Sequence, residues 1–374
     1  MKALILAGGF ATRLRPLSCS RPKLLFPIAN QPILDLTLER LAANGVKEAV
    51  LAVNFMADAL EKACGQSRYG IKLHYSRDAP SDSENGQSTQ QALGTGGPVK
   101  QAEELLGREE PFFVLNGDIL TNTRYVEIMQ THRRNKGIGT IALRKVEDPS
   151  RYGVVELTKE NRVTRFVEKP DEEASTNLVN AGIYVFDPQI FEYIPKGKRC
   201  SIEREIFPKL AEERKLYGHE IKGLWMDVGK PDDYIKANSL WLEAKMENNY
   251  VSPKTEIQKS VQVKQPVAFE KDVTIDEKSV IGPNVSLGKK VCIGKGVHIK
   301  DTIVFSHTTV SDYARVQGTI IGESVTIGER VKIEKGCLIG DNVIIHNNLT
   351  LAQNVKICPS KEISESIPSS QCIM

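Results

Sequence analysis

The 374-residue sequence predicts an α/β domain with a mixed, mostly parallel sheet, followed by a left-handed parallel β-helix of hexapeptide repeats. Three observations carry this. Up to about residue 248, short apolar runs alternate with longer segments of helical period. From Val273 a bulky aliphatic residue recurs every six positions. Between the two regimes the composition turns polar in "ENNYVSPKTEIQKSVQVKQP". The expected organisation is therefore a first domain over 1–248, a linker over 249–272 and a repeat domain over 273–374.

In the first domain "KALILAG", "EAVLAVN", "PFFVLNGD" and "GTIALRKV" read as strands that are apolar on both faces. "PILDLTLERLAANG" and "GGPVKQAEELLG" carry apolar residues at helical spacing and end at glycines, as C-caps do. Strand and helix in alternation imply a parallel sheet with helices on its faces. "GVVELTKENRVTRFVEKP" instead alternates with period two around Lys159-Glu160-Asn161, the pattern of an antiparallel hairpin.

The second regime divides into hexads such as VTIDEK, SVIGPN, VSLGKK and VCIGKG, whose third places are Ile275, Ile281, Leu287 and Ile293. Ile299 and Phe305 continue the series, and it resumes at Ile321 and Ile327. One aliphatic per six residues, often followed by glycine, fits a coil with three short strands per turn and a stacked interior. The spacing lapses between Phe305 and Ile321, so "SHTTVSDYARVQGT" is expected to form an irregular corner or bulging loop.

Bulk properties exclude several function classes. A formal net charge of +3 gives no general case for binding nucleic acid or anionic membrane. No apolar run approaches the roughly 18–20 residues of a membrane span, and "MKALILAGG" lacks a signal-peptide pattern. The seven cysteines are scattered and never spaced C-x-x-C, which fits a reducing cytoplasm without disulfides or structural zinc.

The stretch "LILAGGFATRLRPLSCSRPKLLFPI", residues 4–28, concentrates chemistry directly after the first strand. Gly8 and Gly9 allow close backbone approach, Arg13 offers a planar fork to phosphoryl oxygens, and Lys23 sits on a restrained segment after Pro22. The pattern is neither G-x-G-x-x-G nor G-x-x-x-x-G-K-[ST]. A cradle for phosphates and a solvated basic turn both remain open on these residues.

With later segments, the stretch resembles the sugar-1-phosphate nucleotidyltransferases. "LAGGFATRLRPLSCSRPKLLFP" is similar to their G-G-x-G-T-R-L-x-P-x-T…P-K signature. "LGTGGPV", "VLNGDIL", "YGVV", "FVEKP", "NAGIYVF" and "WMDVGKPDDY" follow in family order. The resemblance covers essentially the whole chain and is nearest to the mannose-1-phosphate guanylyltransferases. It implies a Rossmann-like nucleotidyltransferase domain and Mg²⁺-assisted transfer of a nucleotidyl group from an NTP to a sugar 1-phosphate, with GTP and mannose 1-phosphate favoured. Such a reaction needs no nucleophilic side chain, because the sugar phosphate's own ionised oxygen attacks. Positioning and positive charge then do the catalysis.

The resemblance assigns catalytic roles to Arg13, Lys23 and Lys169. It places the nucleotide on Leu6, Ala7, Gly8, Gly9, Gln91, Gly94, Asn116 and Asp118, and the sugar phosphate on Gly153, Glu168, Lys169 and Asn180. Asp118 and Asp227 would be the magnesium ligands, as hard oxygen donors. Read singly, Asp118 is also a turn former, Lys169 a solvated strand end and Asp227 a cap for a helix near Pro231. The chain departs from the family at Ala11, where glycine is usual, at Ser18 for threonine, and at Gln91-Ala92 for Glu-Pro. If position 11 needs a positive φ, alanine there is strained by about 1 kcal/mol or more. Gln91 offers guanine one acceptor and one donor where a carboxylate would accept twice. Other bases and sugars, a bifunctional acetyltransferase using His298, His307 or His346, and a non-catalytic regulatory subunit are the alternatives. The repeat domain is expected to build a homo-oligomer.

Overall fold

The computed structural model describes residues 1–77, 93–170, 174–244 and 250–374. Its Cα packing divides the chain into two compact units, Met1–Gly9 with Leu34–Trp225, and Phe10–Ile33 with Met226–Met374.

The first unit is built on a ten-stranded mixed sheet. Strands Phe112–Asn116, Lys2–Leu6, Glu48–Val53 and Ile71–Arg77 lie side by side and parallel. The three inner ones are buried along nearly their whole length, which is why their sequences are apolar on both faces. On the other side of Phe112–Asn116 the sheet turns antiparallel. Leu178–Phe186 pairs there, followed by the hairpin Gly153–Leu157 with Val163–Glu168, and by Gly139–Lys145, which pairs parallel with Leu216–Glu220. The predicted helices form at Ile33–Ala43 and at Gly96–Gln101 with Glu103–Leu106, the latter pair broken at Ala102 and closed by Gly107 at φ 78°. Helix Tyr125–Asn135 buries Tyr125, Ile128, Met129 and His132. Among the described residues no helix is long and apolar enough to cross a membrane.

The second unit is a parallel coil with three faces, in sheets of eight, seven and six short strands. Its pairing reaches back to Tyr250–Val251, Glu256–Ile257 and Gln262–Val263, each hydrogen-bonded to the strand one turn on. Residues 250–272, expected within a linker from their polarity, thus form the first turn of the coil and the opening of the second. The inward aliphatics stack as the hexads predict, with Ile281, Leu287, Ile299, Ile321, Ile327 and Ile345 all nearly inaccessible. From Asp272 to Ser360 the corners are turned by a residue in the left-handed region, often an Asn or Asp such as Asp272, Asn284, Asn342, Asn348 and Asn354. The glycine after the inward aliphatic serves close approach instead: a Cβ on Gly294 would lie 2.4 Å from Asp312 Oδ1 on the next turn.

Of the irregular corner or bulging loop expected at 306–319, the bulging loop is not there, and the irregularity is a shortened corner at Gly318. Thr309–Val310 and Arg315–Gln317 are ordinary coil strands. The missing residues are lost one at a time at two corners, where Asp301 and Gly318 take positive φ. The inward residue is consequently Val304, paired with Leu287 and Ile321, and not Phe305. Phe305 is buried outside the coil, its ring 5.9 Å from that of Phe26.

Segment 10–33 and helix Pro231–Ala244 belong to this second unit. The segment runs through three 3-10 turns, Thr12–Leu14, Leu17–Cys19 and Lys23–Leu25, then the pair Pro27–Ile28 and Gln31–Pro32. Phe26 is fully buried between Tyr234 of the helix and Phe305 of the coil. The backbone N–H of Ala29 donates to Asn238 Oδ1, and Tyr234 donates its hydroxyl proton to the carbonyl of Pro27.

Candidate active site

In the first unit, the neighbouring strands Lys2–Leu6, Glu48–Val53 and Phe112–Asn116 end together at their carboxyl ends, the usual ligand edge of a parallel sheet. Leu6 lies in register with Ala52 on one side and Asn116 on the other. Ala7 N–H donates to the Ala52 carbonyl at 2.9 Å, and Gly117 N–H donates to the Leu6 carbonyl at 3.1 Å. This fixes Ala7-Gly8-Gly9 beside Asn116-Gly117-Asp118. Gly8 is explained by crowding, since a Cβ there would lie 3.2 Å from Asn54 Cβ, whereas Gly9 faces open space. Neither takes a positive φ; that conformation falls on Ala11 in the second unit, at φ 46° and ψ 38°.

The residues expected to bind sugar phosphate lie on the antiparallel side. Gly153 is the register partner of Glu168, and a Cβ on it would come within 2.8 Å of Glu168 Oε2 and 2.5 Å of Phe166 Cζ. The glycine thus leaves the Glu168 carboxylate its place. Lys169 follows in the left-handed region at φ 49°, its N–H donating to the Tyr152 carbonyl, its ammonium 3.7 Å from Glu168 Oε1 and largely exposed. A lysine held in that conformation just before Pro170 stores strain of the kind that collects at functional sites. Asn180 sits where the pairing of Leu178–Phe186 with Gly139–Lys145 slips. Its Oδ1 accepts from Gly182 N–H at 2.9 Å, and its Nδ2 donates to Tyr184 Oη at 2.9 Å. Gly182, at φ 71°, has no room for a side chain, because a Cβ would lie 2.8 Å from Asn116 Nδ2. The bulge therefore links the sugar-phosphate candidates to the nucleotide candidates.

Glu203 is the residue that sequence reasoning missed. It lies in the π-helical turn Ile202–Ile206 and accepts from Thr95 Oγ1 at 2.5 Å, Ser201 Oγ at 3.0 Å and Tyr184 Oη at 3.4 Å. Thr95 belongs to the quoted "LGTGG", whose backbone is laced to the same region: Gly96 N–H donates to the Cys200 carbonyl and Cys200 N–H to the Leu93 carbonyl. Gly94 at φ 73° is obligatory there, since a Cβ would stand 2.3 Å from the Cys200 oxygen. Burial raises the carboxyl pKa of Glu168, the charge of Glu203 raises it further, and Lys169 and Arg204 oppose both. "CSIERE" carries the Ser of a helix start, and Ser201 does cap Arg204 N–H, yet nothing local announces that Glu203 faces Thr95 and Tyr184. Gln91 lies outside the described residues.

In the second unit, Arg13 projects from the first 3-10 turn and Lys23 opens the third, directly after Pro22. Asp227 shares the surroundings of Arg13: a Cβ on Gly229 would be 3.1 Å from Arg13 Nη2 and 3.3 Å from Asp227 Oδ1. Asp118 and Asp227 are both half-buried. Among the described residues, no group of three or more His, Cys, Asp or Glu side chains is arranged to hold a metal ion.

The chain belongs to the nucleotidyl transferase family, whose model matches residues 2–244, and the model of the GMPPB C-terminal domain matches residues 263–373. It is 43% identical over 249 residues to a mannose-1-phosphate guanylyltransferase catalytic subunit beta of Dictyostelium discoideum, covering 65% of each chain. It is 42% identical over 248 residues to mannose-1-phosphate guanyltransferase beta-A of Xenopus laevis, again 65% of each. With a mannose-1-phosphate guanyltransferase of Aspergillus oryzae it shares 40% over 264 residues, 68% of this chain and 69% of that one. The first two matches thus span just under two thirds of those relatives' length. A crystal structure described as a glucose-1-phosphate thymidylyltransferase from Bacillus anthracis, in complex with a sucrose, shares the fold. Its TM-score is 0.55 at 23% identity, over 64% of this chain and 94% of that one.

Proposed function

We propose that this chain transfers the guanylyl group of GTP to mannose 1-phosphate, giving GDP-mannose and pyrophosphate. One observation carries the reading. The ends of three adjacent parallel strands bring Ala7-Gly8-Gly9 beside Asn116-Gly117-Asp118, on a chain similar to mannose-1-phosphate guanylyltransferases. A phosphate oxygen of the sugar phosphate attacks the α-phosphorus, the α–β anhydride bond breaks, and its electron pair leaves on pyrophosphate. The backbone after the first strand holds the nucleotide with Leu6, Gly94 and Asn116. Arg13 and Lys23 neutralise the departing pyrophosphate, and Lys169 draws the incoming phosphate forward. Asn180, Glu168 and the open backbone of Gly153 orient the sugar.

The carboxylates of Asp118 and Asp227 have the hard oxygen donors that suit a divalent cation, and we assign them to Mg²⁺. When bound, the ion supplies charge neutralisation on the phosphate oxygens. A homo-oligomer built through the coil and a cytoplasmic setting complete the proposal.

The test is a matrix of NTPs against sugar 1-phosphates with magnesium present, read by pyrophosphate release. GTP with mannose 1-phosphate should give the highest kcat/KM. A higher value for another pair moves the specificity to that base or sugar. No release from any pair overturns the catalytic reading and favours a regulatory subunit.

A further inference from the structure

We propose that Arg21 is a positioning residue through which the coil holds the segment carrying Lys23 in its working shape; the catalytic part of this inference rests on the proposed function. Arg21 lies two residues before Lys23, and its guanidinium forms ion pairs with Glu323 and, at 3.3 Å, with Asp341 Oδ2, both on the coil. The same group stands 4.9 Å from the centre of the Phe305 ring, also on the coil. Ser20, its neighbour, donates to Asp341 Oδ2 at 2.7 Å.

Asp341 is built for this. It is only 7% exposed, and its other oxygen already accepts the backbone N–H of Glu323 at 2.7 Å. Gly322 makes the room, since a Cβ there would lie 2.5 Å from that oxygen. One turn of the coil thus fixes Oδ1 and presents Oδ2 to the segment. A second attachment closes the other side of Lys23: Asn30 Nδ2 donates to the carbonyls of Ala268 and Leu287 at 3.1 and 2.9 Å. Lys23 sits between the two attachments, in a short 3-10 turn closed by Leu25 N–H on the Pro22 carbonyl and Phe26 N–H on the Lys23 carbonyl.

A cation that acts by position loses effectiveness when its backbone wanders by an ångström. The coil is therefore more than an assembly module. A planar guanidinium whose Nη2 meets two carboxylates, with a ring beneath it, is also not equivalent to an ammonium on the same stem.

The experiment uses the full-length chain and its Arg21→Met, Arg21→Lys and Asp341→Asn variants. Amide hydrogen exchange over residues 19–26 is measured together with KM for the NTP and for the sugar phosphate. Arg21→Met and Asp341→Asn should speed exchange there at least tenfold and raise KM for the NTP at least fivefold. KM for the sugar phosphate should stay within twofold, and Arg21→Lys should recover part of both losses. A merely structural defect would lower the active fraction and leave both KM values alone. Unchanged exchange overturns the attachment. Faster exchange with an unchanged KM for the NTP overturns the positioning role. Should the wild-type chain transfer no nucleotide at all, the proposed function falls, and the exchange measurement alone decides whether Arg21 ties the segment to the coil. Glu323→Gln, at a half-exposed position, repeats the test without disturbing buried groups.

Discussion

Replacing His132 by glutamine should remove a large part of the acid sensitivity of the first unit. His132 lies on the buried face of helix Tyr125–Asn135, 2% exposed, with Nδ1 3.0 Å from the hydroxyl of Thr140. Burial holds its pKa down to about 4, against an ordinary 6.5; the Asp187 carboxylate opposes this and Arg133 reinforces it. Between those two values the unfolded chain binds a proton that the folded chain does not. The stability contributed by neutral His132 is therefore complete above pH 6.5 and is lost as the pH falls towards 4. At ~1.4 kcal/mol per decade of proton affinity, the full window is worth about 3 kcal/mol. Urea unfolding in a Trp241→Phe background, where Trp225 reports the first unit, measures it. The His132→Gln chain should be the weaker protein at neutral pH by about 1–2 kcal/mol, because the Thr140 hydroxyl loses its fitted partner. It should match or exceed the parent near pH 4. A gap between the two that stays constant across that range would refute the reasoning.

Ala11→Gly should stabilise the second unit by about 0.5–1 kcal/mol, since relief of roughly 1–2 kcal/mol of left-handed strain exceeds the extra chain entropy of glycine. Denaturation followed at Trp241 in a Trp225→Phe background would show it, and a loss of stability would contradict the strain. Gly94→Ala combines a φ of 73° with a Cβ 2.3 Å from a backbone oxygen, and should cost the first unit about 2 kcal/mol or more, read as a lower unfolding midpoint. Lys169→Ala should mainly raise KM for the sugar phosphate. Asp118→Asn should lower kcat at least a hundredfold and flatten its dependence on magnesium concentration. Wild-type kinetics in either variant would remove that residue from its role.

The sequence displays what is written in local periods. Strand Lys2–Leu6 and its neighbours were legible because burial on both faces demands continuous apolar runs, and the coil because each inward Ile repeats the same requirement. Even the strain at Ala11 could be stated conditionally, since only the sign of φ was missing. The lapse after Phe305 was misplaced for a definite reason. Val304 and Phe305 are adjacent and both apolar, so either could continue the hexad, and only the pairing of Val304 with Leu287 and Ile321 chooses. Polarity likewise misread 250–272, because the first turn of a coil has one open end and needs fewer apolar residues there.

Glu203 and Arg21 were hidden for a deeper reason. Each makes a few polar contacts with residues far away in sequence, Thr95 among them for one, Glu323 and Asp341 for the other, and isolated contacts leave no period. The family signature makes Arg13 and Lys23 visible, and under the proposed function the substrates dictate them. What holds their backbone is dictated by nothing outside the molecule, and it can be solved with any complementary pair the fold brings together. A chain that keeps its substrate-facing residues can therefore still differ from its relatives in how firmly they are held. In this chain that difference would enter through Arg21, where the coil meets the 10–33 segment.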